Sequence, residues 1–395
     1  MRHATIFAAF LTLMYVHWVS PIMAMANDET ASTYPIVVTD IMGREVTIEH
    51  EPQGIILGTG RISYALDLLL KEKMFDHVVA WRTDLIRNDH DAYQAYLERF
   101  PSIADLPTVG LVSTGSFDVE YALGLPADLL ILEKSDYPVA QETGLTDILN
   151  SVGIKTLFID FKEDPFTHTA ASIRLLGDAL NVPNTAKRYV DFYTKRLQQL
   201  QQIAASIPTK RRVFIEKAAG INGLAQCCRT WGDSNFGKIA EAAGLINIGT
   251  HLLPGATGEL TVEKVLIENP DLYVITGTNW SSTRPNAKNI PLGYSVSTEQ
   301  ALSAFPALIS RPGLAELDAV KRQQVYALFH DFFNSPFNII AAQYFAYWAY
   351  PEHYPELDPA AEFRAIHDEF LNLPYRGTFA IHYQPSTPIA TNNGR

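Results

Sequence analysis

Cysteine is almost missing from this sequence: 395 residues hold two, and they are neighbours, Cys227 and Cys228. That excludes a disulfide-stapled scaffold and a four-cysteine zinc site. The eleven histidines are scattered, with no helix-face or zinc-finger spacing, so a bare metal ion has no matching ligand set. There is no G-x-S-x-G elbow, no H-E-x-x-H and no P-loop, the usual marks of a nucleophile, a zinc protease or a nucleotide site. Basic runs are also absent, and acids outnumber Lys and Arg 43 to 31. Such a chain is a poor partner for nucleic acid or an anionic membrane surface. One apolar run exists, Ala4 to Val19; about 16 residues fall short of the roughly 20 that cross a bilayer.

That run follows Met1-Arg2-His3 and leads through Pro21 to Ala24-Met25-Ala26. A basic start, an apolar middle and an A-x-A site read as an export signal, residues 1–26, cleaved after Ala26. No cysteine adjoins the site, which predicts a soluble exported chain and not a lipoprotein. Cleavage removes one base, leaving 30 against 43 acids and a net charge of −13. Two cysteines in an oxidising compartment are expected to pair, yet a bridge between neighbours closes a small strained ring. A vicinal disulfide stiffening its loop and two small loop residues without a role both remain open.

The present residues alternate strand and helix patterns. Residues 36–48 read as a hairpin, and 54–57, 78–81, 129–132 and 156–159 as buried strands, giving a first α/β lobe over 27–163. Residues 164–208 carry a helical stripe without a strand: Ile173, Leu176 and Leu180, then Tyr189, Tyr193, Leu197 and Leu200 beyond Val182-Pro183. This predicts one connecting helix, a strut between lobes. Strand–helix alternation resumes over 209–384, with Gln324–Leu328 as the last strand, and the tail 385–395 has a disordered composition.

Open α/β sheets bind ligands at the carboxyl ends of their strands. The richest such loop lies within residues 211–250. It follows the strand Val213–Ile215, carries both cysteines, Arg229 and Trp231, and ends at a helix capped by Ser234 or Asn235. Strand-end candidates for ligand contact are Arg61, Trp81, Arg82 and Tyr137 in the first lobe. Arg229, Trp231, Trp280, Tyr294, His330, Phe332 and Phe333 are those of the second. Gly58 and Gly60 let the backbone turn so that Arg61 points into a cleft. Phe332 and Phe333 cannot both face one side of an extended chain, so at least one packs. Gly58-Thr59-Gly60 with Ser63 is half a dinucleotide fingerprint, missing its third glycine.

Two segments match each other: VEYALGLPADLLIL at 119–132 and VEKVLIENPDLYVI at 262–275, one per lobe. With the GTGR turn, the CCRTWGDSNFGKIAEAAGLINIG stretch and HDFFNSPFNIIAAQYFAYWAYPEHY, they make Gln53 to Gly377 resemble the periplasmic iron-complex and cobalamin substrate-binding proteins of ABC importers. The resemblance implies two α/β lobes joined by one long backbone helix, with the ligand in the cleft between them. It implies a periplasmic monomer without catalysis or resident cofactor. A ferric-siderophore-type iron chelate would be passed to an inner-membrane ABC permease dimer with its cytoplasmic ATPase. Cobalamin and haem are the alternatives on the same fold, and an exported enzyme using Cys227 or His330 is the rival of another class. Ferric chelates are often anionic, so arginine is the expected partner. The resemblance also implies one docking acid per lobe, Glu120 and Glu241.

Overall fold

The computed structural model describes residues 33–384; the expected leader, 1–26, and the tail, 385–395, lie outside them. The chain opens with the expected hairpin, β1 (Ile36–Thr39) against β2 (Glu45–Ile48), turning at Gly43 with φ +76°. Four parallel strands follow: β3 (Ile55–Leu57), β4 (Val78–Trp81), β5 (Leu129–Glu133) and β6 (Lys155–Ile159), in the order β4-β3-β5-β6. The interior strands are buried on both faces, which is why they read as unbroken apolar runs. The short helix Val119–Leu123 is capped by the Asp118 side chain, which accepts from Tyr121 N.

The second sheet uses β7 (Arg212–Glu216), β9 (Ile246–Asn247), β11 (Leu272–Gly277), β12 (Val325–Phe329) and β13 (Ala380–His382), in the order β13-β12-β11-β7-β9. All pair in parallel except β13, which returns antiparallel along β12. So Gln324–Leu328 is not the last strand. The loop after β7 contains another strand, β8 (Arg229–Trp231), paired antiparallel with β10 (Thr257–Glu259). Helices Thr298–Ile309 and Pro359–Phe370 also escaped the periodic pattern. Of the two residues expected to cap the helix Phe236–Ala242, Asn235 does so.

The connecting segment differs from expectation. It forms two helices, Pro165–Ala179 and Pro183–Ser206, which reverse at residues 180–182 with Asn181 at φ +62°. They run antiparallel: the Tyr193 hydroxyl lies 3.5 Å from Pro165 O, and a Cβ on Gly177 would fall 2.2 Å from that of Ala186. Pro183 starts the second helix where its missing N–H costs nothing. That 24-residue helix, about 36 Å long, is the one backbone helix of the fold. Tyr189 donates to Pro336 O at 2.7 Å and Tyr193 to Asn338 Oδ1 at 2.7 Å, fastening it to the second lobe. The lobes also meet directly: Asp91 accepts from Asn279 Nδ2 and from Ser295, and Asp67 from Asn372 N.

Candidate functional site

Gly58 and Gly60 matter for close approach and not for unusual dihedrals. A Cβ on Gly58 would sit 2.9 Å from Ile131 O, and one on Gly60 2.5 Å from Arg82 O. The tight turn aims Arg61 at the other lobe. Its Nε donates to Asp84 Oδ2 at 3.0 Å and its Nη1 to Asp331 Oδ1 at 3.0 Å, with the guanidinium 5.4 Å from the Phe333 ring centre. Burial alone would lower its pKa, but Asp331, Asp84 and Glu133 outweigh that and raise it. Arg61 is therefore an interlobe tie. Both its carboxylates are buried, and Asp84 also accepts from Thr59 Oγ1 and Gly60 N at 2.6 Å each. A second tie runs from Asn334 Nδ2 to Glu133 Oε1 at 2.8 Å, and Lys162 pairs with the same carboxylate.

Beside these ties lies a wall built by the turn after β12. The His330 ring packs against Phe333 at 4.9 Å, Trp280 at 5.4 Å and Trp231 at 5.8 Å, and its Nδ1 is 3.0 Å from Thr276 Oγ1. Burial first, then Lys217, Arg61, Arg229 and Arg284, drive its pKa well below the ordinary histidine value, so the imidazole is neutral. Lys217 stands 5.2 Å over Trp231; burial, with Arg229, Lys162 and Arg61 nearby, lowers it to about 8. Neither the Lys217 ammonium nor the exposed Arg229 guanidinium meets a carboxylate among the described residues. The indole N–H of Trp280 is buried without a hydrogen-bond partner.

Four of the expected contact residues thus share this wall with Arg229: Trp231, Trp280, His330 and Phe333. Three others do not reach it. Trp81 is sealed in the first lobe against Phe75 and Tyr93. Tyr294 packs against Phe379 and His367 in the second lobe, and Phe332 against Phe329 and Phe363. A strand end places a residue near the cleft, but the pleat decides which face it takes. Arg82 lies 3.8 Å from Asp84, and half-buried Tyr137 meets Phe158 edge-on. Sequence reasoning missed Lys217, Glu133 and Asp331. Lys217 directly follows β7, Glu133 ends β5 and Asp331 lies two residues past β12, and that position was the available signal.

Cys227 and Cys228 are bonded to each other, so neither offers a thiol for catalysis. Their loop is anchored on both sides: Gln226 O accepts from buried Arg311 Nη1 at 2.9 Å, and Arg229 O accepts from Lys217 N at 2.7 Å. Glu120 is exposed, whereas Glu241 is half-buried and accepts from Thr250 Oγ1 at 2.7 Å. In the repeat, the counterpart of Glu120 is exposed Glu263, in the first turn of Val262–Glu268.

Two parallel-sheet lobes, one linking helix and an aromatic, cationic wall between them define a two-lobe solute-binding protein. The chain belongs to the periplasmic binding protein family, whose model matches residues 83–331, more than half of it. A TroA-like periplasmic binding protein, FepB, from Veillonella parvula is similar in structure, with a TM-score of 0.81 and 25% identity over 89% of this chain and all of that one. MolA of Haemophilus influenzae, solved with molybdate, shares the fold at a TM-score of 0.63 and 13% identity, covering 87% of this chain and 99% of its own. An uncharacterized ABC transporter substrate-binding lipoprotein of Bacillus subtilis, YvrC, is 23% identical over 75% of this chain and 79% of its own. That relative corrects one expectation. The expectation of a soluble chain, cleaved after Ala26 and free of lipid, is contradicted by this lipoprotein relative.

Proposed function

We propose that this protein captures solute for an ABC importer, and that its cargo is an anionic metal chelate of the ferric-siderophore type. The observation that carries this reading is the uncompensated charge at the wall. Half-buried Lys217, its pKa lowered to about 8, and exposed Arg229 both lack an acid partner among the described residues, beside the rings of Trp231, Trp280 and Phe333. An anionic ligand with flat or apolar faces supplies what these groups lack. Among the described residues no three His, Cys, Asp or Glu side chains are grouped to hold a metal ion. The metal must then arrive with its own ligands.

Delivery needs contact with a permease. Glu120 lies beside exposed Tyr121 and Leu123, and Glu263 is on the same short helix as exposed Ile267. These two acids, one per lobe, replace the pair Glu120 and Glu241, because Glu241 is already engaged by Thr250. The cargo test is titration with an anionic ferric catecholate, followed by tryptophan fluorescence. Lys217→Ala with Arg229→Ala should weaken binding by about 10- to 100-fold, as for lost charge-assisted hydrogen bonds. Saturable binding of uncomplexed ferric ion, or full affinity in the double variant, would overturn the reading.

A further inference from the structure

Cys227 and Cys228 are the whole cysteine content of the chain, and their bond joins residues one position apart. A disulfide stabilises a fold mainly by closing a long loop in the unfolded chain. This one encloses no chain beyond its own two residues, so it staples no element to another. Its surroundings point to chemistry instead.

The two sulfurs are presented unequally. Cys228 is fully buried, whereas Cys227 is half-buried and follows Leu224, Ala225 and Gln226, all exposed. Cys227 lines a small cavity together with Lys217 and Arg229. Neither cation meets a carboxylate among the described residues. Glu216 lines the same cavity, but its charge is taken: Arg311 Nη1 donates to its Oε1 at 2.8 Å and Nη2 to its Oε2 at 2.5 Å. Unpaired cations beside a reachable sulfur draw in a thiolate, the attacking form, and stabilise the thiolate that departs.

We propose that Cys227–Cys228 is a thiol–disulfide exchange site, opened at Cys227 by anionic thiols. The incoming thiolate bonds to Cys227 Sγ; the bond between the cysteines breaks, and its electron pair leaves on Cys228 Sγ, which takes a proton from water. A second thiolate attacks the reagent's own sulfur in the mixed disulfide, and Cys227 departs as a thiolate and is protonated. Two thiols become one disulfide, and the protein gains two electrons and two protons. With no third cysteine in the chain, the exchange partner is external. Carbonyls at the pair are tied down, Gln226 O by Arg311 Nη1 and Cys228 O by Leu260 N at 3.2 Å, so opening alters the loop and leaves the sheet in place.

The test is the rate of opening of the folded chain by 2-mercaptoethanesulfonate, an anionic thiol, and by cysteamine, a cationic one, read by acid quenching, alkylation and mass. Each rate is divided by that thiol's rate with a neutral model disulfide. The anionic thiol should be favoured by about 10-fold at low salt, and the preference should fall as salt is added. Lys217→Gln with Arg229→Gln should cut it to less than about threefold, and Arg229→Gln alone, at an exposed position, should fall between. In Cys228→Ser the Cys227 thiol should take iodoacetate in the folded protein; in Cys227→Ser the Cys228 thiol should do so only in urea. A bond that resists both thiols until the chain unfolds, equal corrected rates for the two, or ready labelling of Cys228 in folded Cys227→Ser overturns the inference.

Discussion

Replacing Arg61 by alanine tests whether the guanidinium ties the lobes or faces the ligand. Asp331 is 1% exposed, its Oδ1 accepts from Arg61, and its Oδ2 is already without a partner. Loss of Arg61 leaves that carboxylate buried with no donor among the described side chains. Breaking a buried pair from one side costs about 3–5 kcal/mol. Asp84 keeps its bonds from Thr59 and Gly60 and adds little to the loss. Protonation is the escape open to Asp331, whose pKa burial pushes up to about 6 even with Arg61 opposing it. The folded state then takes up a proton at higher pH than the unfolded chain, whose aspartate titrates near 3.8. The Arg61→Ala deficit should therefore be largest near pH 7.5 and shrink as pH falls toward 5. Arg61→Ala with Asp331→Asn removes both charges and should recover most of the loss. Urea unfolding of the parent and the two variants at both pH values measures this. An Arg61→Ala protein within about 1 kcal/mol of the parent, but with ligand binding destroyed, would refute the tie and return Arg61 to the ligand.

Two further expectations follow from groups elsewhere. His367 is buried, with Nδ1 on Phe363 O at 2.9 Å and the Tyr294 hydroxyl 3.3 Å from Nε2, and burial lowers its pKa from 6.5 to about 4. The unfolded chain binds this proton first, so its contribution is full above pH 6.5 and is lost as pH falls to 4, by up to about 3 kcal/mol. Asp67 and Asp331 act in the opposite sense, so the informative quantity is the stability gap between the parent and His367→Phe, which should narrow across that window; a constant gap would count against a buried neutral ring. For docking, Glu120→Arg with Glu263→Arg should abolish uptake in cells with ligand affinity unchanged, while Glu241→Arg alone should affect stability through Thr250 more than transport. Normal uptake by the Glu120–Glu263 double variant would sink the assignment.

The sequence revealed the strands well because their burial on both faces leaves an apolar run that nothing else explains, as in Leu129–Leu132. It misled at residues 180–183. The apolar stripe resumes beyond Pro183 with Tyr189 nine residues after Leu180, about half a turn out of phase, which marks a break but does not say whether the rod kinks or reverses. Pairing of Gly177 with Ala186 decides that, and it is visible only in three dimensions. The site was legible as a set of strand ends but not as a set of faces. Trp81 and Trp231 both occupy a strand, yet one closes the first-lobe core and the other underlies Lys217. Arg61 was found for the right reason, its turn. Its fate depended on Asp84 and Asp331, the latter 270 positions away. That no acid among the described residues pairs with Lys217 is likewise a property of the fold and not of the local sequence.

The contact between Asp67 and the chain near Asn372 has a meaning in time. The first lobe is complete in sequence by residue 163, but its buried Asp67 carboxylate then has only the Tyr96 hydroxyl, at 3.1 Å. Its two backbone donors, Asn372 N and Leu373 N, are 305 and 306 positions later. Strand β13, which covers the β12 edge of the second sheet, is later still. Made or threaded from its N-terminus, the polypeptide has to wait for almost its final stretch before either half can close. Until then Asp67 lacks its backbone donors and the β12 edge lies bare, an opening for a holdase to grip and for a misplaced strand to fill.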